Sequence, residues 1–149
     1  MGCDRCAIKQ LIYQYAHYLD AGNFKAVAEL FNRGRIIASG QGGEGAVEGA
    51  AAVAALYASF TRLYDDDGTP HTLHMTSNVV VEAEDDAEIA RAQSYAVVFQ
   101  AVEGFPLQPV IGVRYHDRFG KTEQGWHFLE RRIDTRLVGD LSRHLLRGM

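Results

Sequence analysis

The sequence predicts an α+β domain with helices packed on one side of a curved antiparallel sheet. Two observations predict it. Up to about residue 64, apolar residues recur at helical spacing; from about residue 72 the chain becomes four long β-rich segments divided by short turns. Helices first and strands second is the order of the α+β class. Connections this short favour antiparallel pairing.

The first helix is expected over residues 4 to 21. Ile8, Leu11, Ile12, Tyr15, Ala16 and Leu19 fall three and four apart, which makes one buried face. Asp4 is its expected N-cap, and Gly22 stops it. Asn23 caps a short second helix whose Phe24, Val27, Ala28 and Phe31 share a face, and Gly34 ends it. Residues 35–39 form a short strand. The glycine-rich residues 40–45 form a loop; no Gly-Lys-Ser/Thr ends it, so it is not a phosphate cradle. A third helix is expected over residues 49–64, with Val53, Leu56, Tyr57, Phe60 and Tyr64 on one side. The long strands are expected at residues 72–83, 88–102, 109–119 and 126–137. Their turns are Glu84-Asp85-Asp86, Gly104-Phe105-Pro106 and Gly120-Lys121-Thr122.

With 149 residues and no linker, the chain reads as one domain, 1–149, able to bury a full core. The net charge of −4 and the absence of a basic stripe exclude a nucleic-acid surface. No apolar run reaches membrane-spanning length, and the N-terminus lacks the apolar core of a secretory signal, so a cytoplasmic protein is expected. Cys3 and Cys6 have no further ligands at zinc spacing and read as two free thiols on a frayed helix start. The Asp65-Asp66-Asp67 run lacks the spaced oxygen ligands of a calcium loop and reads as a solvated turn. No metal is expected.

Four segments carry a resemblance to the SnoaL-like branch of the nuclear transport factor 2-like superfamily. They are residues 7–16 with Tyr18-Leu19-Asp20 and Asn23-Phe24; Val47-Glu48-Gly49; Thr72-Leu73-His74-Met75-Thr76-Ser77-Asn78; and Gly125-Trp126-His127-Phe128. The resemblance implies a cone: a curved antiparallel or mixed sheet wrapped on the N-terminal helices. It also implies a small-molecule pocket. Around the site the chain is most similar to scytalone dehydratase and hexachlorocyclohexane dehydrochlorinase, which carry an Asp ending the first helix and a His opening the first long strand. Asp20 and His74 match those positions, and Arg131 matches an Arg of the dehydrochlorinase. The lysine that enzyme has on its first helix is replaced here by Tyr15. Neither the Tyr before the Asp nor the second strand His of the scytalone enzyme is present: Leu19 stands in the first place, and residues 88–102 hold no His.

The resemblance implies a cofactor-independent lyase or isomerase of dehydratase type, with Asp20 and His74 as a general acid/base pair on an apolar or aromatic substrate. Tyr15, Arg131, Phe24, Phe60, Met75 and Phe99 are the expected substrate-binding residues. The alternative is a non-catalytic ligand-binding protein, or an accessory beta-type subunit of a ring-hydroxylating oxygenase. From the residues alone, Asp20 shares the edge of the buried helical face with Ile8, Ile12 and Ala16. It sits where the helix dipole disfavours an acid, so something must satisfy it. Strict alternation groups His74 with Thr72, Thr76, Asn78 and Val80, a polar face that fits a pocket wall or solvent equally. His71 is its rival. His17, His116, His127 and His144 have no nameable partner. Runs such as Val79-Val80-Val81 and Ala96-Val97-Val98-Phe99 put apolar residues on both faces of the strands, so a homodimer is expected.

Overall fold

The computed structural model describes residues 2–39 and 45–147. Helix α1 (Asp4–Asp20) sends Ile8, Ile12, Tyr15, Ala16 and Leu19 into the core. Its N-cap is Cys3 rather than Asp4: the Cys3 sulfur accepts the Cys6 backbone N–H at 3.1 Å. The Asp4 carboxylate reaches across to the sheet, accepting from Trp126 Nε1 at 2.9 Å and Lys121 Nζ at 3.0 Å. The expectation of free thiols is also corrected, since Cys3 and Cys6 are joined as a disulfide across this first turn. At the other end Gly22 adopts φ +72°, and a Cβ there would collide with the Gly68 carbonyl oxygen. Only glycine meets both conditions. Helix α2 (Phe24–Leu30) starts at Asn23, whose Oδ1 accepts the Ala26 N–H at 3.1 Å.

Strand β1 (Arg35–Ser39) lies as expected. Residues 40–44 of the expected loop lie outside the described residues. Gly45 opens a strand that the sequence reading missed, β2 (Gly45–Glu48), too short and too exposed to show a period. Helix α3 (Gly49–Phe60) stops before residue 64, because Thr61 becomes extended and bridges to Leu145. Strands β3 (Thr72–Glu82), β4 (Ile89–Val102), β5 (Phe105–Thr122) and β6 (Gly125–Val138) complete a six-stranded sheet in the order β2-β1-β6-β5-β4-β3. The β1–β6 pair is parallel and every other pair is antiparallel. The last two hairpins turn more tightly than expected: Phe105 already pairs with Val102, and Lys121 and Thr122 still pair with Trp126 and Gly125.

The inner face of the sheet curls around α1. In the core the Phe128 ring stacks on Phe31 and packs at a tilt on Phe119, with centroids 4.8 and 4.7 Å apart. All three are fully buried, and burying a side chain of that size contributes about 1.5–3 kcal/mol.

Strand β3 changes face midway. Thr72, His74 and Thr76 oppose the buried Gln100, Val98 and Ala96 of β4, so the first half turns its polar side inward. The register then slips between Ser77 and Val80, with Asn78 in the left-handed region at φ +54°. Beyond this bulge Val79 and Val81 are the residues packed on the core. Leu73 and Met75 are left on the outer face, more than half exposed. No described helix is long and apolar enough to cross a membrane.

Candidate active site

A cavity of about 220 Å³ occupies the open end of the cone, between α1, α3, the inner face of the sheet and the C-terminal segment. Its walls are largely apolar: Leu19, Leu56, Phe60, Val98, Ile111 and Ile133. Its polar groups are few. They come from Tyr15, Tyr57, Tyr115, Thr61, Thr72, Thr135, His74 and His144. A small apolar pocket with a few convergent polar groups is the usual form of a ligand site.

His74 enters from the start of β3, and Asp20 stands behind it at the end of α1. The Asp20 carboxylate accepts three bonds: His74 Nδ1–H at 2.6 Å, the His74 backbone N–H at 2.8 Å and Thr72 Oγ1–H at 2.8 Å. These bonds resolve the acid's poor position at a helix C-terminus. Burial alone would raise the pKa of Asp20, but the bonds from His74 and Thr72 outweigh it and hold the carboxyl below its ordinary value. An ionised Asp20 fixes the proton on Nδ1, which leaves the Nε2 lone pair of neutral His74 as the ring's free basic site.

Tyr15 and Tyr57 share a hydrogen bond between their hydroxyls, and the Tyr115 ring lies 5.8 Å from that of Tyr15. Burial pushes all three phenols above their ordinary range, so they stay protonated. Of the expected substrate-binding residues, Tyr15 and Phe60 line the cavity.

Four other expected binding residues do not line it. Arg131 is completely buried beneath Tyr15 and Tyr115, and its guanidinium is bound bidentately by Asp117 at 2.8 Å through both contacts. Phe24 packs on Tyr57 from the core side, 6.0 Å between centroids. Met75 and Phe99 fall on the outer face, because His74 and Val98 take the inward positions beside them. His71 is turned away as well. It sits in the turn before β3, with Nε2 on Asp66 Oδ1 at 2.8 Å.

The sequence reading missed Tyr57, which helical periodicity already explained as core, and Tyr115, which it did not single out. It also missed His144. The C-terminal segment folds back over the cavity through bonds that no local pattern encodes: Leu146 N–H to the Phe60 carbonyl and Arg62 N–H to the His144 carbonyl, both at 2.8 Å.

The fold has counterparts among known proteins. The SnoaL-like domain family matches residues 3–132. The chain belongs to that family. Among solved structures this SnoaL-like domain is similar to an NTF2-like protein with a cystatin-like fold from Novosphingobium aromaticivorans, at 25% identity and TM-score 0.69 over 98% of this chain and 84% of that one. It is similar to a candidate scytalone dehydratase from the same species, at 18% identity and TM-score 0.65 over 97% and 95% of the two chains. LinA is a third, at 18% identity and TM-score 0.69 over 93% and 89%. No curated protein sequence matches the domain.

Burial, and then the nearby His74, push the pKa of His144 down to about 4, against a smaller opposing pull from Asp20. The ring is neutral in the folded domain, whereas in the unfolded chain it takes up a proton below about pH 6.5. Stability from this residue is thus present above pH 6.5 and lost as pH falls toward 4. At about 1.36 kcal/mol per pKa unit the full drop is on the order of 3 kcal/mol. Urea unfolding from pH 7 to 4.5 should show a steep acid limb in the wild type and a shallower one in His144→Leu. Equal limbs would show that His144 is not held neutral.

Proposed function

We propose that this SnoaL-like domain is a lyase or isomerase of dehydratase type, acting on a small apolar or aromatic substrate. The observation that carries the reading is the Asp20–His74 pair, bonded at 2.6 Å, with the imidazole facing a largely apolar cavity. A volume of about 220 Å³ lies below the roughly 300–1,000 Å³ of pockets for drug-sized ligands, which favours a substrate of one or two rings.

In the reaction His74 Nε2 removes a proton from carbon. The C–H electron pair becomes the new π bond as a hydroxyl or halide leaves from the adjacent carbon with its own pair. Asp20 stabilises the imidazolium, which can return its proton to a departing hydroxyl to release water. In an isomerisation the proton returns to a different carbon. The protonated Tyr15–Tyr57 pair supplies one hydrogen-bond donor for charge building on substrate oxygen, since one of its hydroxyls donates to the other. This chemistry needs no cofactor.

The test is proton NMR in D₂O with a panel of one- and two-ring β-hydroxy ketones and halogenated carbocycles. Protein-dependent loss of water or halide, or deuterium entry at carbon, is expected for at least one member. If members bind but exchange only at the buffer rate, the domain is a binding protein.

The outer face of the sheet supports a homodimer. Leu73, Met75, Tyr95 and Leu137 are 41–70% exposed there, a cost that a second copy of the sheet would remove. Light scattering at micromolar concentration should give twice the chain mass, and Met75→Glu should shift it toward monomer. A monomer at all concentrations would exclude the dimer.

A further inference from the structure

Beyond Asp20 and His74, one cavity-lining side chain that carries an unpartnered polar atom has no role in the chemistry above. His144 lines the cavity, and its Nδ1 is buried with no hydrogen-bond partner among the described residues. Buried polar atoms without partners are uncommon, because each carries a desolvation cost of about 1–3 kcal/mol. The backbone around this one is firmly held. His144 N–H bonds the Leu141 carbonyl at 3.0 Å, the His144 carbonyl accepts from Arg62, and Leu145 bridges to Thr61. Gln100 Nε2 fixes the preceding carbonyl, that of Arg143, at 2.9 Å, and the Tyr64 hydroxyl donates to the same oxygen at 2.5 Å. The sheet and the segment after α3 thus hold the imidazole in the cavity lining.

We propose that His144 is a substrate-binding residue whose imidazole pairs with a hydroxyl of the ligand, so that the cavity selects a hydroxylated one- or two-ring compound over the bare hydrocarbon. This rests on the cavity being the substrate site, as in the function proposed above, and it names the group that orients the ligand. His74 lines the same cavity, and its Nε2 has no hydrogen-bond partner among the described residues, so the two imidazoles divide the work. His74 takes the proton, and His144 fixes the hydroxyl. The low basicity of the buried His144 keeps it neutral, with one ring nitrogen able to accept and the other to donate.

The experiment uses 2-naphthol and naphthalene as probes, each titrated by its own fluorescence. The wild type should bind 2-naphthol about 3- to 10-fold more tightly than naphthalene, the range of one net hydrogen bond. His144→Leu should bring the two affinities within about twofold of each other. His144→Gln, which keeps a donor and an acceptor, should retain most of the preference. Equal affinities in the wild type would overturn the proposal. So would a preference that survives in His144→Leu or vanishes only in His74→Ala. Because binding is read rather than turnover, absence of lyase activity leaves these outcomes intact, and a failure here leaves the acid–base reading standing.

Discussion

His74→Ala should lower turnover about 10²–10⁴-fold on any substrate found, in a domain that stays folded. A positioned general base contributes that much, and no other described side chain can take over the step. His71 is committed to Asp66, and His144 lacks a carboxylate of its own. The loss should fall on kcat more than on KM, because the base acts on the transition state and contributes little to ground-state binding. Asp20→Asn tests the other half of the pair. An amide can still meet the Thr72 hydroxyl and one His74 donor, but it offers one acceptor oxygen where three donors converge and no charge to balance the imidazolium. A kcat loss of at least about 10-fold is expected, with circular dichroism unchanged. If His74→Ala remains folded and turns over at the wild-type rate, the proposed mechanism is wrong.

Why the pair could be read from the sequence, while much of its surroundings could not, follows from what each residue encodes locally. Asp20 announces itself: an acid on the edge of a buried face at a helix C-terminus is unfavourable twice over, so a partner was implied. The helix faces and the long strands were equally legible, because periods of 3.6 and 2 persist over many residues. His74 was ambiguous, since strict alternation grouped Val79 and Val81 with Leu73 and Met75. The bulge at Asn78 breaks that phase, and one slipped residue exchanges the faces of everything beyond it. Met75 and Phe99 were misplaced for a related reason, because sequence proximity to His74 and to the next strand does not specify which face is inward. Strand β2, the short end of α3 and His144 all depend on backbone pairing between distant segments, Thr61 with Leu145 among them. Such pairing leaves no mark on side-chain pattern.

Asp117→Ala should cost the domain about 3–5 kcal/mol, the largest stability loss expected of any single change near the cavity. Arg131 was expected from the resemblance to meet the substrate, yet it is wholly inside the protein. Asp117 binds Nε and Nη2, while the rings of Tyr115 and Tyr15 lie 3.7 and 4.3 Å from the guanidinium carbon. Removing the carboxylate strands a full positive charge where neither water nor another described acid can reach it. For a domain of this length the loss corresponds to a fall in Tm of roughly 10 °C. A neutral replacement of both partners separates charge from packing. Arg131→Met combined with Asp117→Leu removes the charges together and should recover most of the stability, since buried ion pairs often exchange for apolar residues at little cost. Binding of naphthalene should fall in Asp117→Ala even below its melting point, because Tyr15 and Tyr115 form part of the cavity wall and rest on the guanidinium. Thermal melts of the two variants decide the matter: if Asp117→Ala melts within about 2 °C of the wild type, the pair does not hold that wall in place.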